Sequence, residues 1–183
     1  MPEPILNSLL IVIFVVVLTA GYAGLSAAPW VPTRKGERAS LVAKLKLKDG
    51  QTVYDLGSGD GSLLFALIER FPNCRLIGLE ISLLPFLISL IRRLTGWSRY
   101  KNVRLLFRDF YRTDLSKADL VFAYLMPGCY TRISEKFSKE LKNDCIVVIE
   151  AWPIPGIEVK DKIVGDRQLP LYVYEGRQFR TGK

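Results

Sequence analysis

The sequence predicts an α/β domain with a mostly parallel sheet covered on both faces, an antiparallel edge, and one membrane-spanning helix in front of it. Three observations carry this. Strand-like and helix-like segments alternate from residue 38 onward. Runs such as residues 120–125 and 146–149 are apolar at every position, as strands buried between two helix layers require. Residues 5–25 form a 21-residue stretch without a charge.

The apolar stretch comes first. As a helix it rises about 1.5 Å per residue and covers roughly 30 Å, the thickness of a bilayer core. A cleaved leader shares such an apolar core, and Ser26-Ala27-Ala28 would suit its cleavage, but no basic residue precedes the stretch and Pro29 follows directly. An uncleaved anchor in residues 1–28 is the better reading. Arg34, Lys35, Arg38 and Lys44 all follow the span. The positive-inside rule then leaves the domain, residues 29–183, on the cytoplasmic side of a single-pass protein.

Ala28-Pro29-Trp30-Val31-Pro32-Thr33 is a stiff, non-helical link. Residues 38–47 have helical spacing in Leu41, Val42 and Leu45. Strands are expected at 52–56, 75–81, 103–108, 118–125 and 145–152. Helices are expected from the Gly-rich turn through Phe71, at 83–95 and at 130–141. Two short strands follow, near 162–164 and 169–174. No helix lies between them, so the edge is expected to be antiparallel.

Composition excludes several classes. The chain has 183 residues, 49% hydrophobic and 24% charged, which is neither disordered nor collagen-like. There is no histidine, hence neither the commonest general base nor the commonest metal ligand. Cys74, Cys129 and Cys145 lie far apart, which fits a reducing compartment better than a disulfide framework or a zinc finger. No metal site is expected. Net charge is +8, and every cation lies at or beyond Arg34. Such a domain suits an anionic membrane or an acidic partner. The cations are scattered and not interleaved with aromatics, which argues against nucleic acid.

The chemical signal is Val53-Tyr54-Asp55-Leu56-Gly57-Ser58-Gly59-Asp60-Gly61-Ser62, between a strand and a helix. Glycines there permit a tight turn and close approach of a ligand to the backbone. The helix N-terminus beyond offers unpaired N–H groups. Glu80, 25 residues after Asp55, ends the next strand, where a carboxylate can accept the ribose hydroxyls of a nucleoside. Asp109 ends the strand after that, within reach of an adenine amino group.

Each feature has a plainer reading, as an ordinary turn, a solvated strand end or a helix cap. Together they mark one crevice at the C-terminal ends of successive strands. A dinucleotide and S-adenosylmethionine both suit a Gly-rich turn. The dinucleotide fingerprint is G-x-G-x-x-G, whereas this chain has G-x-G-x-G. Asp55 beside the turn attracts the ammonium of S-adenosylmethionine and repels a pyrophosphate.

On these residues the sequence resembles the seven-strand, Rossmann-like, class I S-adenosylmethionine-dependent methyltransferases. The Tyr54-to-Gly61 run looks like their first motif, Gly78-Leu79-Glu80 like the acid that follows, and Asp109-Phe110 like the adenine-side motif. Pro29-Trp30-Val31-Pro32-Thr33 is similar to the small protein-lysine methyltransferases of archaea and their mitochondrial relatives, which act on inner-membrane proteins. The resemblance covers residues 29–175. It implies a cofactor set of Thr33, Asp55, Gly57, Ser58, Gly59, Gly61, Glu80, Ile81, Asp109 and Phe110, and a membrane-associated protein as substrate. Tyr124-Leu125-Met126-Pro127-Gly128 departs from the Asn/Asp-Pro-Pro-Tyr signature of enzymes that methylate amides or bases.

Methyl transfer from a sulfonium needs alignment of nucleophile, methyl and sulfur and no covalent intermediate. A lysine acceptor must lose its proton, which partial desolvation favours. Tyr124 can shape such a channel and Glu150 can orient an amine; both are equally readable as structural residues. A lipid or quinone headgroup is an alternative acceptor, and a non-catalytic nucleoside-binding module an alternative to an enzyme. Residues 83–95 are apolar almost all round up to Arg92 and Arg93 in the last turn, and Trp97, Arg99, Tyr100 and Lys101 follow. The segment reads either as a core helix or as a helix resting on a bilayer.

Overall fold

β1 (Thr52–Leu56) and β4 (Leu120–Ala123) are buried at every residue, because each has a strand on both sides and helices over both faces. They form the middle of a seven-stranded sheet in the order β3-β2-β1-β4-β5-β7-β6. The others are β2 (Arg75–Glu80), β3 (Val103–Phe107), β5 (Ile146–Glu150), β6 (Asp161–Ile163) and β7 (Leu171–Glu175). The computed structural model describes residues 3–27, 30, 35–165 and 168–181.

β1 to β5 are parallel, and β7 runs antiparallel to both β5 and β6. The expected antiparallel edge is present, with one refinement. The reversed strand β7 lies inside β6, not outside it. Leu171 and Tyr174 of β7 are buried, whereas Asp161 and Lys162 of β6 are exposed, so the three-residue charged strand takes the rim.

The helices are α1 (Glu3–Ser26), α2 (Lys35–Lys44), α3 (Ser62–Arg70), α4 (Leu83–Thr95), α5 (Tyr130–Glu140) and α6 (Gln178–Thr181). α2 starts and ends three residues before the expected 38–47. α6 is too short to show a helical period in sequence. β4 stops at Ala123, short of the expected 125, so Tyr124 and Leu125 leave the ladder. α5 and α6 pack one core through Ile133, Phe137 and Phe179 against Tyr174 of β7, and Ala27, just after α1, joins it. α2 and α3 pack the other through Leu41, Leu45, Leu64 and Leu67. β1-α3-β2-α4-β3 are successive crossovers in one direction, so right-handedness puts α3 and α4 on the same face.

α4 is not a core helix. Only Pro85 and Ser89 are buried, while Leu84, Leu87, Ile91 and Leu94 are exposed.

Gly78 on β2 shows how closely the elements meet. A Cβ there would lie 2.6 Å from Leu64 Cδ1 of α3 and 2.7 Å from Ser58 Oγ of the Gly-rich turn. Gly78→Ala is therefore expected to destabilise the fold by about 1–3 kcal/mol through overpacking, read by urea denaturation.

Candidate active site

The parallel order reverses between β1 and β4, and a crevice opens there beyond the C-terminal ends of the strands. Its floor is the Gly-rich turn. Gly57, Gly59 and Gly61 have φ of +78°, +55° and +73°, values that side-chain-bearing residues rarely adopt. Gly57 and Ser58 donate their N–H groups to the carbonyl of Leu79 at 2.9 and 3.1 Å. This ties the turn to the end of β2.

Glu80 completes that tie. Its Oε2 accepts the N–H of Gly59 at 2.7 Å, and its Oε1 accepts those of Ile81 and Ser82 at 2.9 and 2.7 Å. The carboxylate both lines the crevice and fixes the walls around it.

Asp55 sits on β1 beneath the turn, 4% exposed. Burial, and then the carboxylates of Glu80, Glu150 and Asp60, push its pKa up to about 8. Asp60 has its own cation, Arg92 of α4, at 2.6 Å. Among the described residues no cation pairs with Asp55. The crevice thus holds a buried acid whose charge is opposed on several sides, which a positively charged ligand would relieve.

Asp109 is both a cap and a crevice wall. Its Oδ1 accepts the N–H of Tyr111 at 2.8 Å, starting a 3₁₀ turn, and its Oδ2 accepts the hydroxyl of Tyr22 at 3.0 Å. Phe110 is buried beside it.

The structure thus brings Asp55, Gly57, Ser58, Gly59, Glu80 and Ile81 to one crevice, flanked by Asp109 and Phe110 after β3 and by Tyr124 after β4. Two expected residues stand apart. Gly61 does not line the crevice; a Cβ there would meet the Phe65 ring at 2.8 Å, so it serves helix packing. Glu150 is buried on β5 and acts on Asp55 electrostatically, without lining the crevice. Thr33 lies outside the described residues.

Several wall residues were not foreseen. Ala23, Ser26 and Ala27, from the end of α1, line the crevice. Ala27 accepts the N–H of Met126 at 2.9 Å. The Trp30 ring lies over Gly59, where a Cβ would come within 2.7 Å of its Nε1. Trp152 stacks on Tyr124 with ring centroids 6.2 Å apart at 22°. The change from aliphatic to small and hydroxylated residues after Leu18 was the sequence signal for the α1 contacts.

A crevice rich in carboxylates suits a cationic nucleoside and opposes a pyrophosphate, so the fold and site define an S-adenosylmethionine-dependent methyltransferase of the class I type. Residues 55–161 match the family model described as the ANTKMT methyltransferase domain, and the chain belongs to that family. It is 26% identical over 153 residues to a protein-lysine N-methyltransferase of Saccharolobus islandicus, covering 80% of this chain and 92% of that protein. Among solved structures it is similar to an RNA methyltransferase of Salinibacter ruber in complex with S-adenosylhomocysteine. That match has a TM-score of 0.72 at 21% identity and covers 79% of this chain and 93% of the other. A methyltransferase of Geobacter sulfurreducens, also in complex with S-adenosylhomocysteine, has a TM-score of 0.56 at 20% identity and covers 73% of this chain and 54% of the other.

Proposed function

We propose that this chain is a membrane-anchored methyltransferase that N-methylates a lysine of a membrane-associated protein. The observation that carries the lysine reading is the likeness to a protein-lysine N-methyltransferase over 92% of that protein's length. The stacked pair Tyr124 and Trp152 at the crevice supports it, since flat apolar ring faces pack the aliphatic stem of a lysine and strip water from its amine. Support for the anchor is α1 itself, 24 residues whose most apolar 18-residue stretch has mean hydropathy 2.4, long and apolar enough to cross a bilayer. In this reading residues 1–28 anchor the chain, residues 29–183 form the methyltransferase domain, and the cations after the span put the domain on the cytoplasmic side.

When bound, S-adenosylmethionine supplies a methyl group on a sulfonium, open to in-line displacement. The roles of the chain's own residues follow from their positions. Asp55 holds a negative charge beneath the Gly-rich turn. Glu80 keeps Gly59 in place and offers remaining lone pairs to ribose hydroxyls. Asp109 and Phe110 border the adenine side, and Ile81 and Ser58 complete the walls. Tyr124 and Trp152 hold the acceptor side chain in a partly dry channel, which favours the neutral amine over the ammonium. Glu150 acts from behind Asp55.

The test is transfer of labelled methyl from S-adenosylmethionine to membranes prepared from cells lacking the enzyme, followed by amino-acid analysis. Label in methyl-lysine of a membrane protein is expected. Label in the organic phase would move the acceptor to a lipid or quinone headgroup. No label in either, with binding intact, would leave only a nucleoside-binding module.

A further inference from the structure

Helix α4 is covered on one side and bare on the other. Leu84, Leu87, Ile91 and Leu94 recur at intervals of three, four and three residues and are 42–61% exposed, so they form one aliphatic stripe. Nothing in the chain covers it among the described residues. Trp97 continues it, 63% exposed, with the Arg93 guanidinium 5.0 Å from its ring centroid.

The position of the stripe relative to α1 identifies what covers it. The N-terminus of α4 meets α1 through Leu83, whose N–H donates to Thr19 Oγ1 at 3.1 Å. A hydrocarbon layer takes about 20 helical residues. Counted from Ile5, where the uncharged stretch begins, Thr19 and Tyr22 fall in the last turn or two of that length. α4 is therefore held at the depth where hydrocarbon gives way to headgroups. Its flank carries matching charge: residues 83–108 contain six cations and no carboxylate. An aliphatic stripe bordered by an aromatic and by cations fits the boundary of an anionic bilayer.

We propose that the outer face of α4 is seated in the surface of an anionic phospholipid bilayer, beside the span of α1. The proposal rests on the anchor reading above and deepens it. The end of α1 walls the crevice, so seating α4 holds the crevice at headgroup level. The acceptor is then a juxtamembrane side chain and not one carried far into the aqueous phase.

The test uses the full chain in nanodiscs of phosphatidylcholine and phosphatidylglycerol. A fluorophore is attached at Ile91→Cys or, as a control, at Lys139→Cys on α5, on the other face of the sheet. The native cysteines are buried and do not compete for label. Quenching by brominated lipids is expected to place the label at position 91 about 5–10 Å into the headgroup boundary, while that at position 139 responds to aqueous iodide alone. Equal iodide access at both positions, in protein that resists alkaline carbonate extraction, would overturn the seating of α4 and leave the anchor standing. Shielding of position 91 from both quenchers would overturn it in favour of a second copy or another protein. Release of the chain by carbonate would overturn the anchor and the seating together.

Discussion

Asp55→Asn is expected to stabilise the cofactor-free protein at neutral and alkaline pH and to weaken S-adenosylmethionine binding. The two effects have one cause. In the unfolded chain the carboxyl ionises near its ordinary value of 3.8, and in the folded protein its pKa is pushed up to about 8. Between those values the folded state holds a proton that the unfolded state has released. Stability therefore falls as pH rises through this window and stays low above it. Asparagine cannot ionise and removes the dependence, so thermal unfolding of the variant should vary less between pH 4 and 8 than that of the parent. Binding has the opposite slope. A cation beside Asp55 favours the ionised form, so affinity of the parent should rise by up to about tenfold per pH unit below pH 8 and then level off. In Asp55→Asn the slope should vanish and the affinity drop by about 1–3 kcal/mol or more. An unchanged slope in the variant would remove Asp55 from the binding site.

Glu80→Ala is expected to have the largest effect on structure around the crevice. It takes the acceptor from three N–H groups, those of Gly59, Ile81 and Ser82. A buried donor left unsatisfied costs about 1–3 kcal/mol, less where water enters. Several kcal/mol of stability and most of the cofactor affinity should go together, because the same carboxylate positions the Gly-rich turn. Glu80→Gln keeps one carbonyl acceptor and should restore part of the stability while restoring less of the binding. Urea denaturation and calorimetric titration of both variants separate the roles. Full stability in Glu80→Ala would show that the three N–H groups find other partners and that the turn does not depend on this side chain.

Much of this was legible in the sequence because chain-local chemistry fixed it. Unbroken apolar runs such as 146–149 have few solutions other than a doubly covered strand, and three close glycines after a strand have few other than a tight turn. The acids were legible for the same reason, since each ends a predicted strand and parallel strands bring their C-terminal ends to one side. The exchange of order between β6 and β7 was not, because it depends on the burial of Leu171 and Tyr174 against elements far away in sequence. Ala23, Ala27 and Trp30 were not legible as crevice walls, since the shift to small and hydroxylated residues after Leu18 signals close packing without naming what packs there. Gly61 was assigned to the site by its place in the motif that the chain shares with the methyltransferases, yet its surroundings are set by Phe65 and Ser89.

In this account the cluster of carboxylates around the Gly-rich turn is built for a positively charged nucleoside. Calorimetric titration of the full chain with S-adenosylmethionine and with NAD, at pH 7 in two buffers of different ionisation enthalpy, tests it most directly. Saturable binding of S-adenosylmethionine with net proton release, and no heat with NAD, is the predicted result. Binding of NAD in its place, or binding of S-adenosylmethionine without exchange of a proton, would contradict it.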